Sequence, residues 1–250
     1  QSADLVMSLS AQGADAAVFP CLAVVPPEDP AAVLEAVRGL ADHDGVIVSS
    51  PNGVQALFGA MDEAGLDVRA LAGKTVAAIG SGTAAACRRH GIIADLVPDR
   101  ARAEGLVDAL REAGLLGQRW LHVRADEGRP LLGEAIEAAG GRYGLVIGYR
   151  TVRPEVSPRL LLSMRAPDDG GEGFDAIVFA SGKTARHFLE TLGDGLGPDV
   201  ARARLEAAKV VCLGPVTTAA VEAMGIRVDA TAREPTDDAV VEALLGVLGR

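Results

Sequence analysis

With 250 residues, 49% of them hydrophobic, the chain carries enough apolar surface for two modest domains or one large one, which excludes a disordered protein. A formal net charge of -10 repels polyanions and so excludes binding of nucleic acid or anionic membrane through the overall field. Cys21, Cys87 and Cys212 stand far apart without a CxxC pair, and no apolar run reaches the roughly 20 residues a membrane span needs. A disulfide framework, a zinc knuckle and a transmembrane segment are thereby excluded, and the expectation is a soluble protein of the reducing cytoplasm.

Short β-branched runs alternate with Ala/Leu-rich amphipathic segments, the pattern of parallel strands joined through helices. In chain order, strands are predicted at Ala16–Phe19, Gly45–Ser49, Thr75–Ile79, Ala94–Val97, Trp120–Arg124, Gly144–Thr151, Phe174–Phe179, Lys209–Leu213 and Arg227–Ala230, with helices filling most gaps. Two proline-rich stretches, at 23–30 and 151–158, interrupt this rhythm, because proline fixes extended or turn conformations. Reading both as crossovers inserts one domain into another: residues 1–24 with 155–250 form an outer domain, 30–148 an inserted one, and 25–29 with 149–154 the connectors.

An internal repeat accompanies that division. Val76-Ala-Ala-Ile-Gly80-Ser-Gly-Thr83 recurs as Val210-Val-Cys-Leu-Gly214-Pro-Val-Thr217, an offset of 134 (214 − 80) that also relates Gly91 to Gly225 and Asp95 to Asp229. Upstream, Val46-Ile-Val-Ser-Ser50-Pro-Asn-Gly-Val54 echoes Ile177-Val-Phe-Ala-Ser181-Gly-Lys-Thr-Ala185. The expected fold is therefore α/β, with two similar parallel-sheet, flavodoxin-like domains.

Each copy places small, hydroxylated residues after its strands: 49–53, Gly80–Thr83, 180–184 and 214–218. In open parallel sheets ligands bind at the carboxyl ends of strands, where the next helix presents free N–H groups and a positive dipole end. Ser, Thr and Asn also simply cap helices, so a single turn of this kind says little, while four matched turns point to a shared anion-binding cleft.

Other chemistry finds less support. Gly80-Ser81-Gly82 lacks the third glycine and the acidic residue of a dinucleotide fingerprint, and Ala180-Ser-Gly-Lys-Thr184 lacks the first glycine of a phosphate loop. His43, His90, His122 and His187 have no ligand spacing, so no metal is expected and the histidines are assigned to the surface or to helix ends. No Gly-x-Ser-x-Gly elbow occurs. Tyr149 stands out among few aromatics because it ends a strand just before the return crossover, and Arg124, Arg129 and Arg150 lie nearby with guanidinium groups suited to carboxylates.

Taken together, Val48-Ser-Ser-Pro-Asn-Gly-Val54, Ala78-Ile-Gly-Ser-Gly-Thr83, Leu121-His-Val-Arg-Ala-Asp-Glu-Gly-Arg129, Gly148-Tyr-Arg-Thr-Val152, Leu213-Gly-Pro-Val-Thr217 and Glu234-Pro-Thr236 resemble the uroporphyrinogen-III synthase family over nearly the whole chain. Each motif is a short turn; their order and spacing carry the likeness, and the family's first strand has no match in the sequence. The resemblance implies two α/β domains joined by a two-stranded connector. It further implies cyclisation of hydroxymethylbilane with inversion of its last ring, through loss of the hydroxymethyl hydroxyl and a spiro intermediate, without cofactor or metal. By the same resemblance Tyr149 is the residue that helps the hydroxyl leave. Thr83 and Thr217 match family threonines facing the cleft, Ser50, Asn52, Ser181 and Lys183 stand at the family's strand-end turns, and Gly82 and Arg129 complete the expected substrate-binding set. A substrate with eight carboxylates suits helix N-termini even in an acidic protein. The rival expectation from the same features is a non-catalytic two-domain protein that binds tetrapyrroles or other anions. A nucleotide-dependent α/β enzyme is a third, weakened by the incomplete glycine patterns. A monomer with domains able to move is expected from the short connectors.

Overall fold

The computed structural model describes residues 2–249. In chain order it contains α1 (Ser2–Ala11), β1 (Ala23–Val25), α2 (Pro30–Arg38), β2 (Gly45–Val48), α3 (Pro51–Glu63), β3 (Thr75–Ala78), α4 (Ser81–Arg89), α5 (Ala103–Glu112), β4 (Arg119–Ala125), α6 (Leu131–Ala138) and β5 (Arg142–Val152). There follow α7 (Pro158–Ser163), β6 (Ala176–Phe179), α8 (Gly182–Leu196), α9 (Pro198–Ala207), β7 (Lys209–Cys212), α10 (Pro215–Glu222), β8 (Ala230–Thr231) and α11 (Asp237–Leu248). The chain divides into two compact units, 24–152 and 1–23 with 153–250.

The inner unit holds a five-stranded sheet in the order β1-β5-β4-β2-β3, with β2 parallel to β3 and β4, and β4 parallel to β5. Its β2 strand, next to the central β4, is apolar on both faces because helices cover both. Val46 and Val48 pack with Val54, Leu57 and Met61 of α3, while Ile47 packs with Leu106 and Leu110 of α5 and Ile136 of α6. All three strand residues are fully buried, each contributing on the order of 1.5–3 kcal/mol of transfer free energy. The amino ends of the strands are tied down by polar contacts. Asp44 accepts hydrogen bonds from the Arg119 backbone N–H (2.9 Å) and guanidinium (2.7 Å), and Lys74 Nζ donates to the His43 carbonyl at 2.7 Å. Hydrogen bonding from Arg119 holds the Asp44 carboxyl well below the usual carboxylate range.

The outer unit is smaller: β6-β7-β8, all pairs parallel. Phe179, Phe188, Leu192 and Leu205 fill one face of its sheet, and Val211, Val240 and Leu244 the other, joined there by Leu5 and Leu9 of α1.

The sequence repeat survives as three-dimensional detail. Asp95 accepts from the Val76 N–H at 2.8 Å and Asp229 from the Val210 N–H at 2.9 Å, each 134 residues apart in the chain. Ala77 pairs with Leu96, and Val211 with Ala230, at the same offset. Three strand expectations are corrected. Arg227–Ala230 shifts to Ala230–Thr231, the two residues that pair with Val211 and Cys212. Ala16–Phe19 forms no strand: Phe19 anchors it by an edge-on contact with Phe188 (4.8 Å between centroids), but no neighbouring strand offers a ladder. Ala94–Val97 shrinks to the single bridge at Leu96, because the chain turns away after Asp95 has used its side chain and N–H on Val76.

Candidate functional site

The four turns at the strand ends are of two kinds, one of each in either unit. Ser50 and Ser181 adopt nearly the same extended backbone, φ −158°, ψ 160° and φ −159°, ψ 161°, and both cap the helix that follows. Ser50 Oγ accepts from the Gly53 N–H at 3.0 Å, and Pro51 suits the first helical position because its missing N–H is not needed there. Ser181 sits in a reciprocal capping box with Thr184, whose hydroxyl donates to the Ser181 carbonyl at 2.6 Å. The plain capping role therefore holds for these two serines. By contrast, α4 and α10 begin after Gly80 and Gly214, and neither start has a side-chain cap. Their first N–H groups keep the positive end of the helix available for an anion.

Thr83 and Thr217 occupy the third position of these two uncapped helices, and both are buried. Thr217 Oγ1 donates to the Ala180 carbonyl at 3.4 Å, which brings it to the strand end that also carries Ser181 and Lys183. Gly82 is exposed in the first turn of α4, and Asn52 and Lys183 stand half-buried in the first turns of α3 and α8.

Within the inner unit the chain builds a cavity of about 210 Å³, whose walls include Ser50, Ile79, His122, Arg124, Arg129 and Tyr149. Tyr149 is placed there by an irregularity. Between β4 and β5 the register shifts after Arg124, so that Tyr149 rather than Gly148 stands opposite Ala125. A side chain at position 148 would collide with Val123 and Ala56, at 2.7 and 2.8 Å, so only glycine lets β5 pass so close to α3. The buried phenol then shares a 2.8 Å hydrogen bond with Ser50 Oγ.

The basic side chains separate by partner. Arg129 is matched by Glu104 in a bidentate pair, one arm 2.8 Å long, and hydrogen bonding from this guanidinium pulls the Glu104 carboxyl down to about 2. Arg150 turns instead to Glu28 at 2.8 Å and the Pro26 carbonyl. Arg124 touches the Arg129 carbonyl at 3.5 Å, its Nε is buried without a partner, and it forms no ion pair with the described carboxylates. Glu127 also lines the cavity.

One member of this wall escaped the sequence reading. His122, expected at the surface or a helix end, is 4% exposed in the middle of β4. Its Nδ1 lies 2.7 Å from the Tyr143 hydroxyl, its Nε2 has no partner, and burial, with Arg124 nearby, drops its pKa to about 3. The available signal was alternation: His122 and Arg124 are two apart on a strand and share a face.

Among the described residues no group of three or more His, Cys, Asp or Glu is arranged to hold a metal ion, and no helix is long and apolar enough to cross a membrane. The fold and site thus define a class: a duplicated α/β protein that presents helix N-termini and a tyrosine-bearing cavity at the carboxyl ends of parallel strands. The family model described as uroporphyrinogen-III synthase HemD matches residues 3–242, and the chain belongs to this family. It is 29% identical over 249 residues to the uroporphyrinogen-III synthase of Synechococcus elongatus, covering 98% of this chain and 90% of that one. It is 27% identical over 231 residues to that of Chlorobaculum parvum, covering 92% and 87%. Among solved structures, a uroporphyrinogen-III synthetase of Helicobacter pylori superposes with TM-score 0.65 at 15% identity, covering 94% of each chain. A mutant uroporphyrinogen III synthase of Thermus thermophilus does so with TM-score 0.62 at 21% identity, covering 98% and 94%. These two likenesses speak to the fold.

Proposed function

We propose that this chain converts hydroxymethylbilane to uroporphyrinogen III, closing the macrocycle with inversion of ring D and releasing one molecule of water. The observation that carries the reading is the buried Ser50–Tyr149 hydrogen bond, 2.8 Å long, in the wall of a cavity with arginines. In this reading Tyr149 is the catalytic residue. Its phenol protonates the hydroxymethyl oxygen as the C–O bond breaks and water leaves, Ser50 holds the phenol in line, and the phenolate regains its proton from the ring D carbon at the end of the reaction. The resulting carbocation is attacked by the substituted α-carbon of ring D to give the spiro intermediate; ring D then migrates, the ring closes at its free α-carbon, and that carbon releases a proton. Positioning does most of the remaining work: a thousandfold preference for the inverted over the simple product needs about 4 kcal/mol of differential stabilisation.

The substrate-binding positions in this reading are Ser50, Asn52, Gly82, Thr83, Arg129, Ser181, Lys183 and Thr217. The uncapped starts of α4 and α10 support it, since they offer N–H groups to carboxylates. We also infer a monomer that acts in the cytoplasm, a location in keeping with three free cysteines. The division into domains 1–24 with 155–250 and 30–148, linked by 25–29 and 149–154, is supported by the two compact units.

The test is to incubate purified protein with hydroxymethylbilane, oxidise the product and separate the porphyrin isomers by chromatography. Type III product supports the assignment; type I alone, the product of uncatalysed closure, overturns it.

A further inference from the structure

We propose that Arg124 and His122 form a receptor for one carboxylate side chain of the substrate, a deepening of the function proposed above. Both belong to β4, two residues apart, and both line the same cavity. Each brings one buried nitrogen with no partner, His122 Nε2 and Arg124 Nε. Leaving two such groups unsatisfied in one place is costly, and a ligand that satisfies both removes the cost.

The chemistry of the ligand follows from the protons. In this receptor the Tyr143 hydroxyl, 2.7 Å from Nδ1, is the donor, which places the imidazole's proton on Nε2. Burial and the neighbouring Arg124 charge hold the ring neutral down to about pH 3, so the imidazole is uncharged at ordinary pH. A neutral imidazole N–H and a guanidinium charge then belong to the wall of one cavity, which suits an anionic oxygen pair and no cation. Size narrows the choice. A cavity of about 210 Å³ is below the ~300–1,000 Å³ that a drug-sized ligand occupies, so it accepts an acidic substituent and part of its pyrrole ring rather than a tetrapyrrole. Ile79 and Leu132 supply the apolar wall for the methylene groups.

The probe is a pyrrole bearing one acetate and one propionate chain, titrated by calorimetry into the full chain, with its dimethyl ester as control. Arg124→Gln and His122→Leu each weaken binding about tenfold or more, the loss expected for one hydrogen bond to a charged group. His122→Gln, which retains an N–H donor, recovers most of the affinity, and the ester does not bind. In nitrogen-15 spectra the His122 Nε2–H resonance moves downfield on titration. Wild-type affinity in both Arg124→Gln and His122→Leu, equal binding of the ester, or no binding by the wild type overturns the receptor. Should His122→Leu fail to fold, as judged by melting, Arg124→Gln and His122→Gln decide. The readout needs no turnover, so the two readings fail separately. Type I product alone with Arg124-dependent binding removes the synthase reading and leaves the receptor; type III product with an unaltered KM in Arg124→Gln does the reverse.

Discussion

Ser50 Oγ and Tyr149 OH, 99 residues apart in the chain, lie 2.8 Å from each other, and the same Oγ accepts the N–H of Gly53. One serine thus joins the start of α3 to the end of β5. The two bonds have different consequences when cut. Tyr149→Phe removes the phenol oxygen but leaves the cap, so turnover falls about a hundredfold, the scale of a general acid. Stability falls by no more than about 1 kcal/mol. Ser50→Ala loses the cap as well, about 1 kcal/mol, and lowers both turnover and melting temperature. Steady-state kinetics beside thermal melts of the two variants check this, and unchanged turnover in Tyr149→Phe makes that residue a packing element.

Gly53 sets the distance between α3 and β4. A Cβ there would stand 2.9 Å from the Val123 carbonyl oxygen, a backbone atom that has no rotamer to change. Gly53→Ala therefore pushes the helix start, and Ser50 with it, off β4. A shift approaching 1 Å at a catalytic contact costs up to about a hundredfold in rate. The expected result is a kcat loss comparable to that of Tyr149→Phe, together with a lower melting temperature; wild-type kcat would show that the helix start is not coupled to the phenol.

Gly82 separates stability from binding. It is exposed in the first turn of α4, which has no side-chain cap, and nothing lies within 4 Å of a Cβ built on it. Gly82→Asp places a negative charge against the positive helix end, raising stability by about 0.3–1 kcal/mol, with some further gain from replacing glycine. The same charge repels a carboxylate of the substrate, so KM rises about tenfold. A more stable protein with unchanged KM would remove α4 from the binding surface.

His122 makes stability depend on pH. Its folded pKa, about 3, lies below the ordinary 6.5 because burial and Arg124 oppose the charged ring. The unfolded chain therefore binds more protons between these values, and stability falls as pH drops below about 6.5, by at most about 1.4 kcal/mol per pH unit from this group. Between pH 6.5 and 5 the carboxylates contribute little, so the melting temperature of His122→Gln should vary less with pH there than that of wild type. Parallel curves would place the His122 ring in water.

Much of this is legible in the sequence. The 134-residue offset anticipated Asp95 and Asp229 in the same role, since a carboxylate 19 residues downstream returns to the same backbone N–H when the local fold repeats. The family motifs brought Tyr149 and Ser50 forward separately. Their contact was not legible, because it depends on a one-residue register shift at Gly148 that leaves no periodic trace.

By itself the sequence determined the alternation of strands and helices, the duplication, and the hydroxylated turns at the strand ends, because these follow from side-chain spacing and backbone preference over a few neighbours. Tertiary structure alone decided which turns are closed by their own serines and which stay open for an anion. It also decided that Arg129 faces Glu104 while Arg124 does not, and that His122 lies inside with an idle nitrogen. Those properties belong to distances between residues remote in the chain, set by packing and register, and local sequence carries no measure of them.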